Sequence, residues 1–295
     1  MRAFLFALLL VSPVFAEQSH KVSGLVLKVD QEHRSVTVSC DAVPNYMEAM
    51  VMTFQVRTTE DLNEVAVGKH IELQVNEKFS YADHVRVVDF ESTEQEPQEA
   101  QRLKLLQGLA NPDATTPPLA LGSPVPDFAF TDQAQQSVAL SQLSGKVVVL
   151  TFIYTRCPNP NYCFRLNSNL ARLRKRFAQR LGHDLVLLSI VIDPEHDQHK
   201  TLTNYANIWK ADPNSWHFLT GPLPDIQKVT RGFGMDFWSG EGAVTHTFHT
   251  IVIDSQGKLA ANLEGNEFTA RQLGDLVETE LKMWGGRPRP PDGRH

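Results

Sequence analysis

Residues 145–154, GKVVVLTFIY, form an apolar run with no polar alternation and with β-branched residues prominent. A strand of that kind has no face to offer water and must be covered on both sides. The rest of the chain has to supply the covering layers. After Cys163, apolar residues recur at Leu166, Leu170, Leu173, Phe177 and Leu181. Gaps of three and four place them on one stripe of a helix, with RLRKR on the solvent side. DLVLLSIVID (184–193) reads as a second buried strand and HKTLTNYANIWK (199–210) as a second helix. THTFHTIVID and KLAANLEG then read as a hairpin turning at Ser255–Gly257.

Strand, cysteine loop, helix, strand, helix, hairpin is the order of a thioredoxin-like α/β domain, expected over 125–285. The N-terminal part has a different texture. KVSGLVLKV, RSVTVSC, VMTFQVR, HIELQVN and HVRVVDF are five short β-rich runs between turn signals. They predict a small all-β, five-stranded, OB-like barrel over 17–92. Residues 93–124 hold a polar stretch expected to form a short helix through Gln107. An Ala/Pro-rich segment, stiff and extended, follows it. Residues 286–295 read as a flexible tail. Residues 1–16, MRAFLFALLLVSPVFA, have the form of a signal peptide cleaved after Ala16. The expected location is therefore the periplasm, with no stable membrane span after cleavage.

Three cysteines in 295 residues are too few for a disulfide scaffold in an exported protein, so they are expected to carry chemistry. The net charge of −6, without a basic stripe, excludes nucleic acid as an expected partner. No Gly-rich phosphate loop or Ser/His/Asp pattern points to a nucleotide enzyme or a hydrolase.

Cys157 and Cys163 stand five residues apart in YTRCPNPNYCFRL, held by Pro158 and Pro160. The loop leaves the carboxyl end of a buried strand, where α/β sheets place their sites. A thiol at the start of the next helix is expected to be acidified by the helix N-terminus. Two thiolates can form a disulfide or hold a soft metal. A third ligand is expected from AVTHTFHT. His246 and His249 point to opposite faces of a strand, and His246 lies nearer the rim. A neutral imidazole is the binding form, so metal affinity is expected to fall below pH of roughly 6.5, the ordinary histidine value.

A second soft cluster lies in the barrel, where Cys40, Met47, Met50 and Met52 fall within thirteen residues. Thiolate and thioether donors select Cu(I) or Ag(I) over Zn(II). Met50 and Met52, two apart, share a strand face.

VPDFAFTDQ, GKVVVLTFIYTRCP, DPEHD and THTFHTIVIDSQG together resemble the Sco/SenC copper chaperones of cytochrome oxidase assembly. The likeness runs over about 122–282. It implies a thioredoxin-like fold and copper held by Cys157, Cys163 and His246, with Asp193 and Asp197 as supporting acids. The family's usual spacing has three residues between the cysteines, and this chain has five. The N-terminal segment, about 21–90, resembles the CusF-like copper-binding domain. Met50 and Met52 match its M-x-M pair, Cys40 stands in the place of its histidine, and Tyr46 or Met47 stands near its tryptophan.

The resemblance implies a copper carrier that delivers to a respiratory-oxidase subunit or another cupredoxin-type protein. The second expectation is a thiol–disulfide oxidoreductase that uses Cys157 and Cys163 on the cysteines of such a target. A thiol peroxidase centred on Cys157, with Thr155 and Arg156 before it, leaves Cys163 and His246 without a shared role.

Overall fold

The computed structural model describes residues 19–76, 81–88, 117–235, 237–240 and 243–285. The expected signal peptide, the helix expected through Gln107, most of 93–124 and the tail lie outside them.

The five N-terminal runs form β1 (Ser19–Asp30), β2 (Ser35–Cys40), β3 (Val51–Gln55), β4 (His70–Asn76) and β5 (Ala82–Val88). All four pairings are antiparallel, in the order β3-β2-β1-β4-β5. The sheet is not closed into a barrel, which corrects the expected architecture. Among the described residues its edges meet only through one isolated bridge, Val56 to Ala82. The edge strands show why. Among the described residues, β3 buries only Phe54 and β5 only Ala82, so little apolar surface draws the two edges into a ladder.

Gly24 in β1 has a steric duty. A Cβ there would lie 2.4 Å from the Ser39 carbonyl oxygen and 2.8 Å from the Cys40 Cα. Both are backbone atoms and cannot swing away. Gly24→Ala should therefore destabilise the fold by about 1–3 kcal/mol, the usual cost of overpacking. Thermal unfolding of the full chain checks this, and an unchanged midpoint would show that β1 and β2 yield there.

In the second unit the short hairpin β6 (Ala129–Thr131) and β7 (Ser137–Ala139) precedes the central strand β8 (Val147–Ile153). Then follow α1 (Arg165–Arg176), β9 (Leu185–Val191), α2 (His199–Trp209), β10 (Trp216–Leu219) and α3 (Leu223–Gly232). β11 (Phe237–Gly240), β12 (Ala243–His246), β13 (His249–Ile253), β14 (Leu259–Glu264) and α4 (Ala270–Gly285) complete it. The sheet order is β10-β9-β8-β13-β14. β8, β9 and β10 run parallel, and β13 is antiparallel to β8 and β14. Every residue of β8 and β9 is buried, as their unbroken apolar runs require. The stripe of α1 packs inward through Leu166, Leu170 and Leu173, with Phe177 just beyond the helix and Leu181 half-buried. The hairpin turn is where it was expected, with Gly257 at φ +76°.

The two units touch directly. Leu25 and Leu27 of β1 join the core of the thioredoxin-like unit. The first turn of α4 binds the end of β2 through a polar cluster. Arg271 donates to the Cys40 carbonyl (2.6 Å) and the Ser39 hydroxyl (2.9 Å). Ser39 donates to Asp275 (2.7 Å), and Gln272 donates to Asp41 (2.9 Å). No helix among the described residues is long and apolar enough to cross a membrane.

Candidate metal centre

The chain leaves β8 through Tyr154, Thr155 and Arg156 and arrives at Cys157 already oriented. Asp197, buried, accepts from the Thr155 backbone N–H (3.0 Å) and from its hydroxyl. Asp193 accepts from Arg156 Nη2 (2.7 Å) and contacts His196 Nδ1 (2.9 Å). Burial raises the Asp197 carboxyl, with the Thr155 bonds opposing it. Burial would also raise Asp193, but its bonds to Arg156 and His196 outweigh that and hold it below the usual carboxylate range. DPEHD, which follows β9, thus grips the two residues before the first cysteine.

Between the cysteines, Asn159 caps the turn by accepting from the Asn161 N–H (2.9 Å), and Asn266 donates to the Asn161 carbonyl (2.7 Å). Residues Pro160–Phe164 make a single wide helical turn, broken at Tyr162 (φ −100°, ψ −110°) before α1 begins. That turn absorbs the long spacing. It seats Cys163 fully buried and leaves Cys157 half-buried, neither in a disulfide.

Their acidities diverge. Cys157 is lowered to about 6, first by the hydrogen bond from Cys163, against burial, with help from the backbone at Asn159 and from Tyr154. Cys163 is pushed well above the ordinary thiol value by donating to Cys157 and by burial. The expected effect of the helix start is therefore reversed. The loop cysteine is the thiolate, because the cysteine at the helix is buried and serves as donor to it.

His246, the last residue of β12, is 5% exposed. Its Nδ1 lies 2.8 Å from the Thr247 carbonyl oxygen. A carbonyl only accepts, so Nδ1 carries the proton and Nε2 presents a lone pair. That Nε2 lies 4.0 Å from Cys163 Sγ. Burial lowers the ring to about 4, with a contribution from His249 and opposition from the Thr247 bond. Tyr154 stands edge-on to the ring at 5.9 Å and Phe248 at 4.7 Å. The imidazole is thus neutral, fixed and walled by aromatics. A metal with bonds of roughly 2.0 Å to nitrogen and 2.3 Å to sulfur can sit between donors so separated. Among the described residues no three His, Cys, Asp or Glu side chains are already gathered as a ligand set, so the Cys157 loop would have to close the third position. His249 faces elsewhere, with Nδ1 2.8 Å from Asn262 Oδ1. The strand expected through both histidines is in fact two, interrupted at Thr247 and Phe248.

In the N-terminal sheet, Val38 pairs with Met52, and the Cys40 N–H donates to the Met50 carbonyl. Cys40, Met50 and Met52 therefore lie on one sheet face. Met52 and Met47 are partly buried against that unit's core, and Met50 is 50% exposed. Cys40 is completely buried and donates to the Val38 carbonyl (3.6 Å). Burial, reinforced by Asp41, pushes its thiol up to about 12. Tyr46 lies under His20, the rings stacked at 3.5 Å. His20 escaped the sequence reading because a single histidine at the start of a β run carries no spacing signal.

A thioredoxin-like sheet that carries a thiolate, a buried thiol and a neutral histidine around one loop defines a class of soft-metal and thiol-exchange proteins. The SCO1/SenC family model matches residues 120–281, more than half of the chain, and the chain belongs to that family. Residues 19–87 match the model of the copper binding periplasmic protein CusF. The chain is similar to a SCO1 protein homolog of Bacillus subtilis, 27% identical over 152 residues, covering 49% of this chain and 76% of the relative. Among solved structures, a SCO1/SenC family lipoprotein of Bacillus anthracis is 27% identical, with a TM-score of 0.48, covering 55% of this chain and 99% of that one. ScoI of Arabidopsis thaliana, solved with copper bound, is 24% identical, with a TM-score of 0.47, covering 56% of this chain and 99% of that one. The model matched at the N-terminus is that of a copper-binding protein.

Proposed function

We propose that the chain is a periplasmic copper carrier. It holds Cu(I) on Cys157, Cys163 and His246 and passes it to the copper site of a respiratory-oxidase subunit or another cupredoxin-type protein. The observation that carries this reading is the neutral His246 Nε2 aimed at the sulfur of Cys163, beside a ready thiolate at Cys157. Two sulfurs and one imidazole are a soft donor set suited to Cu(I). The signal-like residues 1–16 support export. Cys40, Met47, Met50 and Met52 form the second candidate site, with Met50 the donor open to solvent.

The test is stoichiometric. The full chain should bind two Cu(I). Oxidising Cys157 and Cys163 to a disulfide should remove one, because a disulfide offers no thiolate. Met50→Leu with Met52→Leu should remove the other. Two coppers per chain after thiol counting has verified the disulfide would overturn the assignment of the cysteines.

One observation favours a second reading. A half-exposed thiolate at Cys157 beside a buried thiol at Cys163 is the arrangement of attacking and resolving thiols in a disulfide reductase.

A further inference from the structure

We propose that the metal-receiving protein docks on a face made by Phe164, Ile208 and Trp209, with acidic groups of its own over Arg172, Lys175 and Lys210. This rests on the carrier reading above. Phe164 is 54% exposed and Ile208 70%, the two most exposed large apolar side chains among the described residues. Phe164 follows Cys163 directly, and its ring packs on Trp209 at 4.9 Å. Tyr205, Ile208 and Trp209 fall at i, i+3 and i+4 on one side of α2, and Asn167 of α1 donates to the Tyr205 hydroxyl (3.3 Å). The patch therefore adjoins the cysteine loop at the junction of two packed helices. A recipient must bring its own ligands within bonding distance of the Cys157 and Cys163 sulfurs, so its surface has to cover this flank. Exposed aromatic and aliphatic side chains of this kind form the centres of protein interfaces.

Charge specifies the partner. The chain carries −6 overall, yet α1 holds five basic residues and no acidic one. Arg176 is bound by Asp275 and Glu278. Arg172, Lys175 and Lys210 are exposed, with no carboxylate partner among the described residues. An acidic carrier turns exposed cations without carboxylate partners toward an acidic partner and repels that partner elsewhere.

The experiment uses the copper-loaded full chain and, as probe, the soluble cupredoxin-type domain of the host's respiratory oxidase. The Kd is measured at low and high salt. Phe164→Ser with Ile208→Ser should weaken binding by about tenfold or more. Arg172→Glu with Lys175→Glu should slow association and flatten the salt dependence. Copper is titrated on every sample, and thermal unfolding verifies the fold. A parent chain that does not bind copper defeats the carrier reading. The docking face is overturned, with that reading intact, by any of three results: equal Kd values for parent and variants, no binding of the probe to a copper-loaded parent, or sedimentation showing that the face pairs two copies of this chain.

Discussion

His246→Ala will lower copper affinity at the Cys157–Cys163 pair by at least about a hundredfold, more than the loss of a supporting residue costs a metal site. The same change will leave the disulfide of that pair able to form and exchange. A metal loses a donor bond when the imidazole goes, whereas thiol exchange needs two sulfurs and access to them. The geometry sharpens the contrast. His246 is held by one bond from Nδ1, so its removal strips Nε2 from the site without disturbing the Asp193 and Asp197 grip on the loop. His249→Ala is the internal control. Its ring is tied to the half-buried Asn262, so its loss should cost stability by about 1 kcal/mol, the usual net worth of a hydrogen bond, and leave copper affinity unchanged. Competition titration with a Cu(I) chelator reads the first quantity, and exchange with a low-potential dithiol reads the second. Intact copper affinity with slowed reduction of a target disulfide would transfer the function to the oxidoreductase reading.

Local sequence pattern reached the thioredoxin-like unit where packing is dictated by burial on both faces. β8, β9 and the stripe of α1 are of that kind. The β11–β12 hairpin was not legible, because FWSG and AVTH are too short to carry a period. The contact between the units was missed although a signal was present. GLVL in β1 has no polar alternation, the mark of a strand covered on both sides, and Leu25 and Leu27 do reach the second core. Closure of the first sheet depended on what β3 and β5 meet across space, which propensity does not encode. At the site, residue types and order were readable, but the acidities were not. Helix position argued for an acidic Cys163, yet burial and its bond to Cys157 decide otherwise.

Those acidities fix how copper binding responds to pH. Cys157 is a thiolate above about 6, Cys163 keeps its proton throughout the neutral range, and His246 stays neutral down to about 4. Binding Cu(I) on both sulfurs must therefore expel the Cys163 proton at any neutral pH, and the Cys157 proton as well below its own value. About one proton should leave per copper at pH 7.5 and about two at pH 5, so for each unit the pH drops affinity falls roughly tenfold above the break and hundredfold below it. The expected fall through 6.5 from histidine does not apply, because burial has moved His246 out of that window. The break should stand near 6 and belong to Cys157. Met50→Leu/Met52→Leu removes the N-terminal site from the measurement, and calorimetry in buffers of different ionisation enthalpy counts the protons. Cys157→Ser should weaken copper strongly and abolish the break for what binding remains. If the break survives in Cys157→Ser and vanishes in His246→Ala, the imidazole is the titrating group and the buried, neutral His246 is wrong.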